Sequence, residues 1–390
     1  MPDAATLVIR RARLAGRDGL LDLVAEGSRI QDVRAHAPET IPKRTEVLDA
    51  GGRVVLPGFV DCHTHACWAG DRLGEWQHKL AGASYLDLLK AGGGIMATVH
   101  ATRAASEQEL AESLLGRLNV MLRHGTTTVE VKSGYGLDTE NELKMLRAIH
   151  LAADRWPGSV VATACIGHAM DPQVEREEFV RRTVEETLPA VSAEFPGIAV
   201  DGYCEEGAWS LGETLRLTDA AQTAGHPVRM HADQFNALGM IKAAVEGGFR
   251  SVDHLEATGP EGLEMLAGSG TWGVMLPASG FHTDGRYGDG RAFIDAGGRL
   301  AIATNYNPGS SPCPAMPFVI ALAVRKLGLS IDEALNAASA GGAAVLGFDD
   351  RGRLEPGARA DLVILDTPDP RMLAFEFGAN PVWKTIVAGG

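Results

Sequence analysis

The chain lacks the features that mark secreted, membrane-spanning and nucleic-acid-binding proteins. Its 390 residues include five cysteines and no Cys-x-x-Cys pair, a pattern typical of reduced thiols in a cytoplasm. Residues Met1 to Leu7 show no basic stretch followed by an apolar core, so we expect no signal peptide. No apolar run approaches the ~20 residues that span a bilayer. The formal net charge of -14 argues against nucleic acid and anionic membranes as partners, yet a few local arginines suffice for a small anionic substrate.

Apolar segments with strand character alternate with helical stretches through the middle of the chain. The eight strand candidates are Val54–His65, Thr126–Lys132, Val160–His168, Ile198–Glu205, Pro227–His231, Arg250–His254, Trp272–Pro277 and Leu300–Asn305. The helix candidates are Ser106–His124 with a capping box, Thr139–Asp154, Pro172–Ala193, Leu211–Ala224, Leu238–Glu246 and Ile331–Leu346. This α/β alternation predicts a (β/α)8 TIM barrel. The alternative, a doubly wound open sheet, normally carries a Gly-rich phosphate loop after its first strand, and here histidines stand in that place.

Both ends of the chain contain short strand candidates with turn residues between them. These segments are Leu7–Ile9, Gly19–Val24 and Arg29–Val33 near the start, and Ala360–Asp366 and Thr385–Gly389 near the end. Because neither end can form a core alone, we expect them to combine into one small β-sandwich domain. The predicted division is therefore 1–55 and 351–390 for the small domain and 56–350 for the barrel. Two separate extensions packed on the large domain are the alternative.

Histidines stand at the ends of four predicted strands. His63 and His65 end the first strand and point to the same side, since side chains alternate along an extended chain. His168, His231 and His254 end the third, fifth and sixth strands. The carboxyl ends of barrel strands meet at one mouth, so these imidazoles are predicted to converge on a metal ion. Three imidazoles suit Zn²⁺ or Fe²⁺ better than Mg²⁺ or Ca²⁺, and they leave a coordination position for water. Histidines with only structural roles in the core are the alternative.

Other segments near the strand ends have more than one interpretation. Lys132 is a carbamylated metal ligand, a substrate contact or a structural lysine, and we favour the two non-metal roles. Tyr135 lies in a Gly-flanked loop, which favours a place in a pocket, whereas Arg72 has the pattern of an ordinary surface arginine. We expect Gly92-Gly93-Gly94 to be a mobile loop and Phe281-His282 to lie in a polar, Gly-rich lid loop.

Six segments together resemble the amidohydrolase superfamily and, within it, the imidazolonepropionase family of histidine degradation. They are Pro57–His65, Ala91–Ile95, Val129–Leu137, Met230–Gln234, Asp253–Leu255 and Asn307–Pro312. The Lys-Ser-Gly-Tyr-Gly and Asn-Pro-Gly-Ser-Ser-Pro sequences are specific to that family, whereas His-x-His is common to the superfamily. The resemblance covers nearly the whole chain.

The resemblance implies a metal-dependent enzyme that opens the ring of 4-imidazolone-5-propanoate to give N-formimidoyl-L-glutamate, and implies a homodimer. The implied cofactor is one Zn²⁺ or Fe²⁺/Fe³⁺ ion, bound by His63, His65, His231 and Asn305. The implied catalytic residues are His254 as acid and base, Gln234 and Asn305. The implied contacts to the small anionic ring come from Arg72, Tyr135, His168, Gln234, Asn307, Gly309 and Ser310. An arginine such as Arg72 can pair bidentately with a propionate.

The chain departs from the family pattern at two places. The pattern has Asp where this chain has Asn305, and an amide ligates weakly and cannot act as a base. The segment Ala278–Asp284 also differs, and we expect it to be a loop that covers the substrate ring. Three alternatives stay open: His254 carries the proton chemistry alone, the reaction differs, or the residue is an engineered substitution that traps a complex.

A different reaction would be that of a sister hydrolase. Such an enzyme would act on 3-(5-oxo-2-thioxoimidazolidin-4-yl)propanoate of ergothioneine degradation and release sulfide. A further alternative is a non-catalytic relative that binds metal or ligand without turnover, an interpretation that depends on Asn305 alone.

Overall fold

A closed parallel barrel forms the centre of the molecule. The computed structural model describes residues 6–38, 45–81 and 94–389. The barrel strands are β6 (Phe59–Asp61), β7 (Thr126–Lys132), β8 (Ser159–Gly167), β9 (Ala199–Cys204), β10 (Arg229–Ala232), β11 (Ser251–His254), β12 (Trp272–Met275) and β13 (Leu300–Ile302). They pair in sequence order as one eight-stranded parallel sheet. All eight lie within or overlap the segments predicted from the sequence, so the (β/α)8 prediction is confirmed.

The barrel closes just beyond the ends of its first and last strands. The Asn305 amide donates to the His63 carbonyl over 3.0 Å, and the His65 amide donates to the Tyr306 carbonyl over 3.0 Å. These bonds join the end of β6 to the end of β13. Residue 305 is therefore a direct neighbour of the His63-x-His65 segment, because the first and eighth strands meet when a barrel closes.

The segment Val54–His65 forms two strands in different sheets rather than one strand. β5 (Val54–Pro57) pairs with the chain ends, and only β6 enters the barrel. The break is at Gly58, where an added Cβ would lie 2.2 Å from Thr127 Oγ1. Only glycine fits this close approach, so the chain passes from one sheet to the other at Pro57-Gly58.

The two chain ends form a second sheet, as predicted. Its strands are β1 (Thr6–Leu14), β2 (Leu21–Glu26), β3 (Arg29–Ala35), β4 (Thr45–Asp49), β5, β14 (Leu362–Leu365) and β15 (Val382–Ile386). β1 pairs with β2 and β4 along its first part and with β5 at its end, so two halves of the sheet share it. Apolar side chains from both halves and from both chain ends form one buried cluster. The boundaries at 55/56 and 350/351 stay a prediction.

Helices cover the outside of the barrel. They are α1 (Leu73–Leu80), α2 (Ile95–Ala104), α3 (Glu107–Arg123), α4 (Thr139–Ala153), α5 (Arg176–Arg182), α6 (Leu188–Glu194), α7 (Leu211–Thr223), α8 (Met240–Glu246), α9 (Pro260–Ala267), α10 (Pro277–His282), α11 (Gly290–Asp295), α12 (Met316–Lys326), α13 (Ile331–Asn336), α14 (Gly342–Val345) and α15 (Met372–Phe375). The predicted capping box of α3 is present, with Ser106 and Glu109 bonded reciprocally. None of the described helices is both long enough and apolar enough to cross a bilayer.

Two helix predictions need correction, and several helices, α12 among them, were not predicted. The predicted helix Pro172–Ala193 begins only at Arg176 and contains a π-helical turn at Thr183–Thr187. Ile331–Leu346 contains a π-helical turn at Ala337–Gly341. No helix was predicted at α12, because most of its residues are buried and the polar face of an amphipathic helix is short.

Candidate active site

Three imidazoles converge at the barrel mouth. His63 and His65 follow β6, His231 lies in β10, and all three are buried. One ring nitrogen of each lies within 4.8 Å of the others, and Nε2 of His65 lies 3.0 Å from Nε2 of His231. The strand ends therefore place the three predicted histidine ligands around one point.

Two buried carboxylates orient these rings. Asp253 Oδ2 lies 2.5 Å from His63 Nδ1, and Asp201 Oδ1 lies 3.0 Å from His231 Nδ1. His63 Nε2 is left buried with no hydrogen-bond partner among the described residues. Burial, together with the nearby Lys132 charge, holds the pKa of His63 well below its usual value, so the ring is neutral with a lone pair to offer. The buried lone pair of His63 and the nearby ring nitrogens of His65 and His231 suit a metal ion as ligands. Asp253 and Asp201, each bonded to the Nδ1 of a ring, supply the outer carboxylates typical of such sites.

Below the histidines lies a network of five fully buried charged side chains: Glu130, Lys132, Asp201, Arg229 and Asp253. Lys132 Nζ donates to Glu130 over 2.6 Å and to Asp201 over 2.7 Å. Arg229 donates to Asp253 over 2.7 Å and lies 3.2 Å from Glu130. Each aspartate thus joins a cation to a histidine ring.

This network favours the structural interpretation of Lys132. Burial lowers the pKa of its ammonium and so does Arg229, but the Asp201 and Glu130 charges outweigh both and leave the pKa raised. Lys132 is thus a charged hydrogen-bond donor to two carboxylates. A carbamylated metal ligand would require the neutral amine instead.

Asn305 lies beside His63, because its backbone amide donates to the His63 carbonyl over 3.0 Å. Its side-chain Oδ1 is buried and has no hydrogen-bond partner among the described residues. Its backbone adopts φ 51°, a region that non-glycine residues occupy rarely. An unpartnered buried oxygen on a residue whose backbone adjoins His63 is compatible with the predicted ligand role, although an amide cannot take a proton from water.

His254 is the last residue of β11, the strand next to the one that carries His231. Its ring centroid lies 6.0 Å from that of His63 and 5.6 Å from that of His231. Nδ1 lies 3.2 Å from Glu256 Oε1, a contact that favours the tautomer with its proton on Nδ1, and Nε2 has no hydrogen bond to a described residue. Both His254 and Leu255 have positive φ, 95° and 72°, which is costly for side chains other than glycine. Such strain is compatible with a residue that the fold holds for function.

His168 and Tyr135 form one wall beside His65. The His168 ring stacks on His65 with centroids 4.5 Å apart and an angle of 14°. Tyr135 lies 5.3 Å from His168 and 6.0 Å from His65. Burial and the neighbouring His231 lower the pKa of His168 to about 3, so its ring is neutral. The Tyr135 loop is fixed by Glu142, which accepts the amides of Gly134, Gly136 and Leu137 over 2.8 to 2.9 Å.

Arg72 is paired rather than free on the surface. Its Nε and one terminal nitrogen donate to Glu75 over 2.6 and 2.5 Å. The other terminal nitrogen faces Thr98 Oγ1 at 3.5 Å and Gly309, where an added Cβ would lie 3.1 Å from it. The structure therefore brings Arg72 next to the Asn307–Ser310 segment and leaves one terminal nitrogen for a ligand.

Asn307 shapes that segment. Its Oδ1 accepts the amides of Gly309 and Ser310 over 2.8 and 2.7 Å, and its Nδ2 donates to the Asn305 carbonyl over 2.6 Å. Ser310 Oγ also lies 2.9 Å from Asn307 Nδ2. Asn307 is thus a turn-forming residue, and Gly309 and Ser310 are the members of this segment that a ligand can approach.

Gln234 follows β10, and its amide oxygen accepts from the Tyr203 hydroxyl over 2.7 Å. Tyr203 was not predicted. Asp201 and Arg229 were also missed, although both lie within predicted strands of the barrel. The sequence feature that could have identified them is a charged residue inside an otherwise apolar barrel strand. Such a side chain faces the barrel interior, where it needs a hydrogen-bond or ion-pair partner.

The loop prediction is wrong for most of the segment Ala278–Asp284, whereas its place over the substrate ring stays a prediction. Residues Pro277–His282 form the helix α10 instead of a loop. Proline at the start of this segment favours a helical first turn. Phe281 is 60% exposed and packs edge-on against Phe318 of α12 with centroids 5.2 Å apart. The Gly92-Gly93 part of the predicted mobile loop lies outside the described residues.

Comparisons with known proteins agree with this site. The profile of the amidohydrolase family matches residues 54–390. An imidazolonepropionase of Herpetosiphon aurantiacus is 46% identical over 88% of this chain and 83% of its own length. One of Symbiobacterium thermophilum is 45% identical over 100% of this chain and 91% of its own.

A solved structure supports the fold. The 5-methylcytosine deaminase of Klebsiella pneumoniae, liganded with 5-fluorocytosine, has a TM-score of 0.77 at 18% identity, with 98% of this chain and 96% of that chain covered. Given the sequence identities and the histidine cluster, this chain belongs to the amidohydrolase family and, within it, to the imidazolonepropionase family.

Proposed function

We propose that this chain hydrolyses 4-imidazolone-5-propanoate to N-formimidoyl-L-glutamate in histidine degradation. Family membership makes the protein a metal-dependent hydrolase of C–N bonds in cyclic amides. The observation that carries the proposal is the set of three buried imidazoles at the barrel mouth, in a chain 45% identical to an imidazolonepropionase over its whole length.

Ring opening adds water to the ring carbonyl carbon and breaks its bond to the neighbouring nitrogen. A bound divalent metal supplies Lewis acidity and lowers the pKa of water toward 7. His254 is the group suited to proton transfer, because its Nδ1 faces Glu256 and no described residue is hydrogen-bonded to its Nε2. It takes a proton from the attacking water and returns one to the leaving nitrogen. Gln234 and Asn305, which we predicted as catalytic, have amides that orient groups but cannot exchange protons.

The propionate arm is suited to the far side of the mouth. Arg72 has one terminal nitrogen beside Gly309, and the Ser310 hydroxyl belongs to the same turn, where it lies 2.9 Å from Asn307 Nδ2. Because Glu75 already takes the other face of the guanidinium, Arg72 would bind the carboxylate through one nitrogen rather than bidentately.

The donor set favours Zn²⁺ or Fe²⁺ as the metal. Three imidazoles and one amide oxygen suit borderline cations better than hard ones. Elemental analysis of protein purified without chelators, followed by reconstitution with each metal, tests this assignment.

A sulfide-releasing reaction on 3-(5-oxo-2-thioxoimidazolidin-4-yl)propanoate is the second candidate. The observation in its favour is the amide of Asn305, which cannot act as the base that an aspartate at this position would provide. The test is to incubate the metal-loaded protein with each ring and to measure N-formimidoyl-L-glutamate and sulfide. Formation of formimidoylglutamate at a rate well above sulfide release is expected, and sulfide alone would replace the first proposal with the second.

The cellular compartment and the oligomeric state are also proposals. A reducing, cytoplasmic setting is supported by the five free cysteines, four of them buried. Assembly as a homodimer stays a prediction, which light scattering of the purified protein tests.

A further inference from the structure

We propose that Tyr203 determines ring specificity by fixing the amide of Gln234, so that the site presents an N–H donor to the ring. This inference rests on the proposed function and deepens it. It names the kind of ring atom that this edge of the site binds: a hydrogen-bond acceptor such as a carbonyl oxygen, a thiocarbonyl sulfur or an unprotonated ring nitrogen.

Tyr203 stands between two central histidines. It lies near the carboxyl end of β9, the barrel strand next to β10. Its ring centroid lies 5.9 Å from that of His231 and 6.5 Å from that of His254. The phenol therefore reaches the mouth between a proposed metal ligand and the proposed acid and base.

The hydrogen bond from Tyr203 decides which way the Gln234 amide faces. A glutamine amide has an acceptor end and a donor end, and its orientation follows from its partners. The Tyr203 hydroxyl donates to Gln234 Oε1 over 2.7 Å. The Nε2 group therefore faces away from Tyr203, and its N–H hydrogens are the ones that a ligand can meet. A ring N–H at that place would oppose another donor and lose its hydrogen bond.

The backbone around Gln234 is held separately. Glu205 accepts the amides of Phe235 and Asn236 over 2.7 and 3.1 Å. Asp233 accepts from the Thr258 hydroxyl over 2.9 Å. Because these contacts fix the main chain, loss of the Tyr203 hydroxyl is expected to free the amide without moving the loop.

The test is a double-mutant cycle on the metal-loaded enzyme with 4-imidazolone-5-propanoate. Tyr203→Phe is expected to raise KM about tenfold with kcat changed by less than about threefold, as for one lost neutral hydrogen bond. Gln234→Met removes the donor and is expected to raise KM to a similar extent. In the Gln234→Met background, Tyr203→Phe is expected to change KM by less than about twofold, since no amide remains to orient.

Tyr287→Phe is the matched control, because Tyr287 contacts Lys326 instead of the histidines and should leave both constants unchanged. An unchanged KM in Tyr203→Phe overturns the inference, and so do additive effects in the double variant. A fall in kcat alone overturns it as well, because the phenol would then act in the chemistry.

A binding measurement separates this inference from the proposed function. If the wild-type enzyme does not turn over the imidazolone, the proposed function fails, and calorimetry with hydantoin-5-propanoate is used instead. That ring carries two carbonyl acceptors. A roughly tenfold weaker affinity of Tyr203→Phe supports the donor role. Equal affinities, or no binding by the wild type, overturn it.

Discussion

The interior of the barrel below the histidines and the interior of the small sheet are buried to the same degree but differ in chemistry. In the barrel, Lys132 and Arg229 lie among three carboxylates with almost no exposure. In the small sheet, the buried cluster contains aliphatic side chains such as Ile9, Leu23 and Ile364. Burial of charge costs free energy, whereas burial of aliphatic surface is favourable, so the two interiors contribute differently to stability and to the site.

The small sheet contributes mainly to the stability of the fold, whereas the barrel network positions the histidine rings. The small sheet joins the two chain ends through area-dependent packing, which depends little on direction. The barrel network fixes the direction of two histidine rings through Asp201 and Asp253. Substitutions in the barrel network should therefore alter metal binding as well as stability, whereas those in the small sheet should alter stability alone.

Lys132→Met should have the largest effect on stability. It leaves Glu130 and Asp201 without their shared cation in a fully buried place, which costs about 3–5 kcal/mol. Denaturant unfolding of the variant measures this loss. Lys242→Met, at an exposed lysine near Glu246, is the control and should cost less than about 0.5 kcal/mol. Equal losses in the two variants would show that the network carries no special cost.

His254→Ala should lower turnover at least ~10²-fold while metal content stays at the wild-type level, because the residue acts as acid and base and not as a ligand. Steady-state kinetics together with elemental analysis check this. His150→Ala on the exposed face of α4 is the control. Retained turnover would remove His254 from the mechanism.

Asp253→Asn should weaken metal binding by about 10- to 100-fold, because the carboxylate that orients His63 loses its charge. Competition with a chromophoric chelator measures the affinity. Asp219→Asn on the exposed face of α7 serves for comparison. If both variants bind metal as the wild type does, the carboxylate does not position the ring.

Ile364→Val should have the smallest effect. It removes one methylene from the small-sheet cluster and should cost about 0.5–1.5 kcal/mol of unfolding free energy. Metal content and kcat should not change. A loss of metal in this variant would contradict the proposed separation of the two interiors.

Much of the barrel followed from local pattern. Strand segments such as Thr126–Lys132 matched the observed strand residue for residue, because apolar β-rich runs and turn residues are local signals. Histidines at those strand ends predicted a shared site, since parallel strands deliver their ends to one mouth. The loop prediction for residues 278–284 was wrong because a short helix that contains glycine and proline has the composition of a loop.

The sequence by itself determined the barrel, the joined chain ends and the histidine cluster, because these depend on periodicity and on position along strands. Only the tertiary structure decided which carboxylate faces which ring, that Glu75 takes one side of Arg72 and that Tyr203 orients Gln234. Hydrogen-bond partners of buried polar groups come from distant segments, such as Asp253 for His63, and no local pattern encodes that pairing.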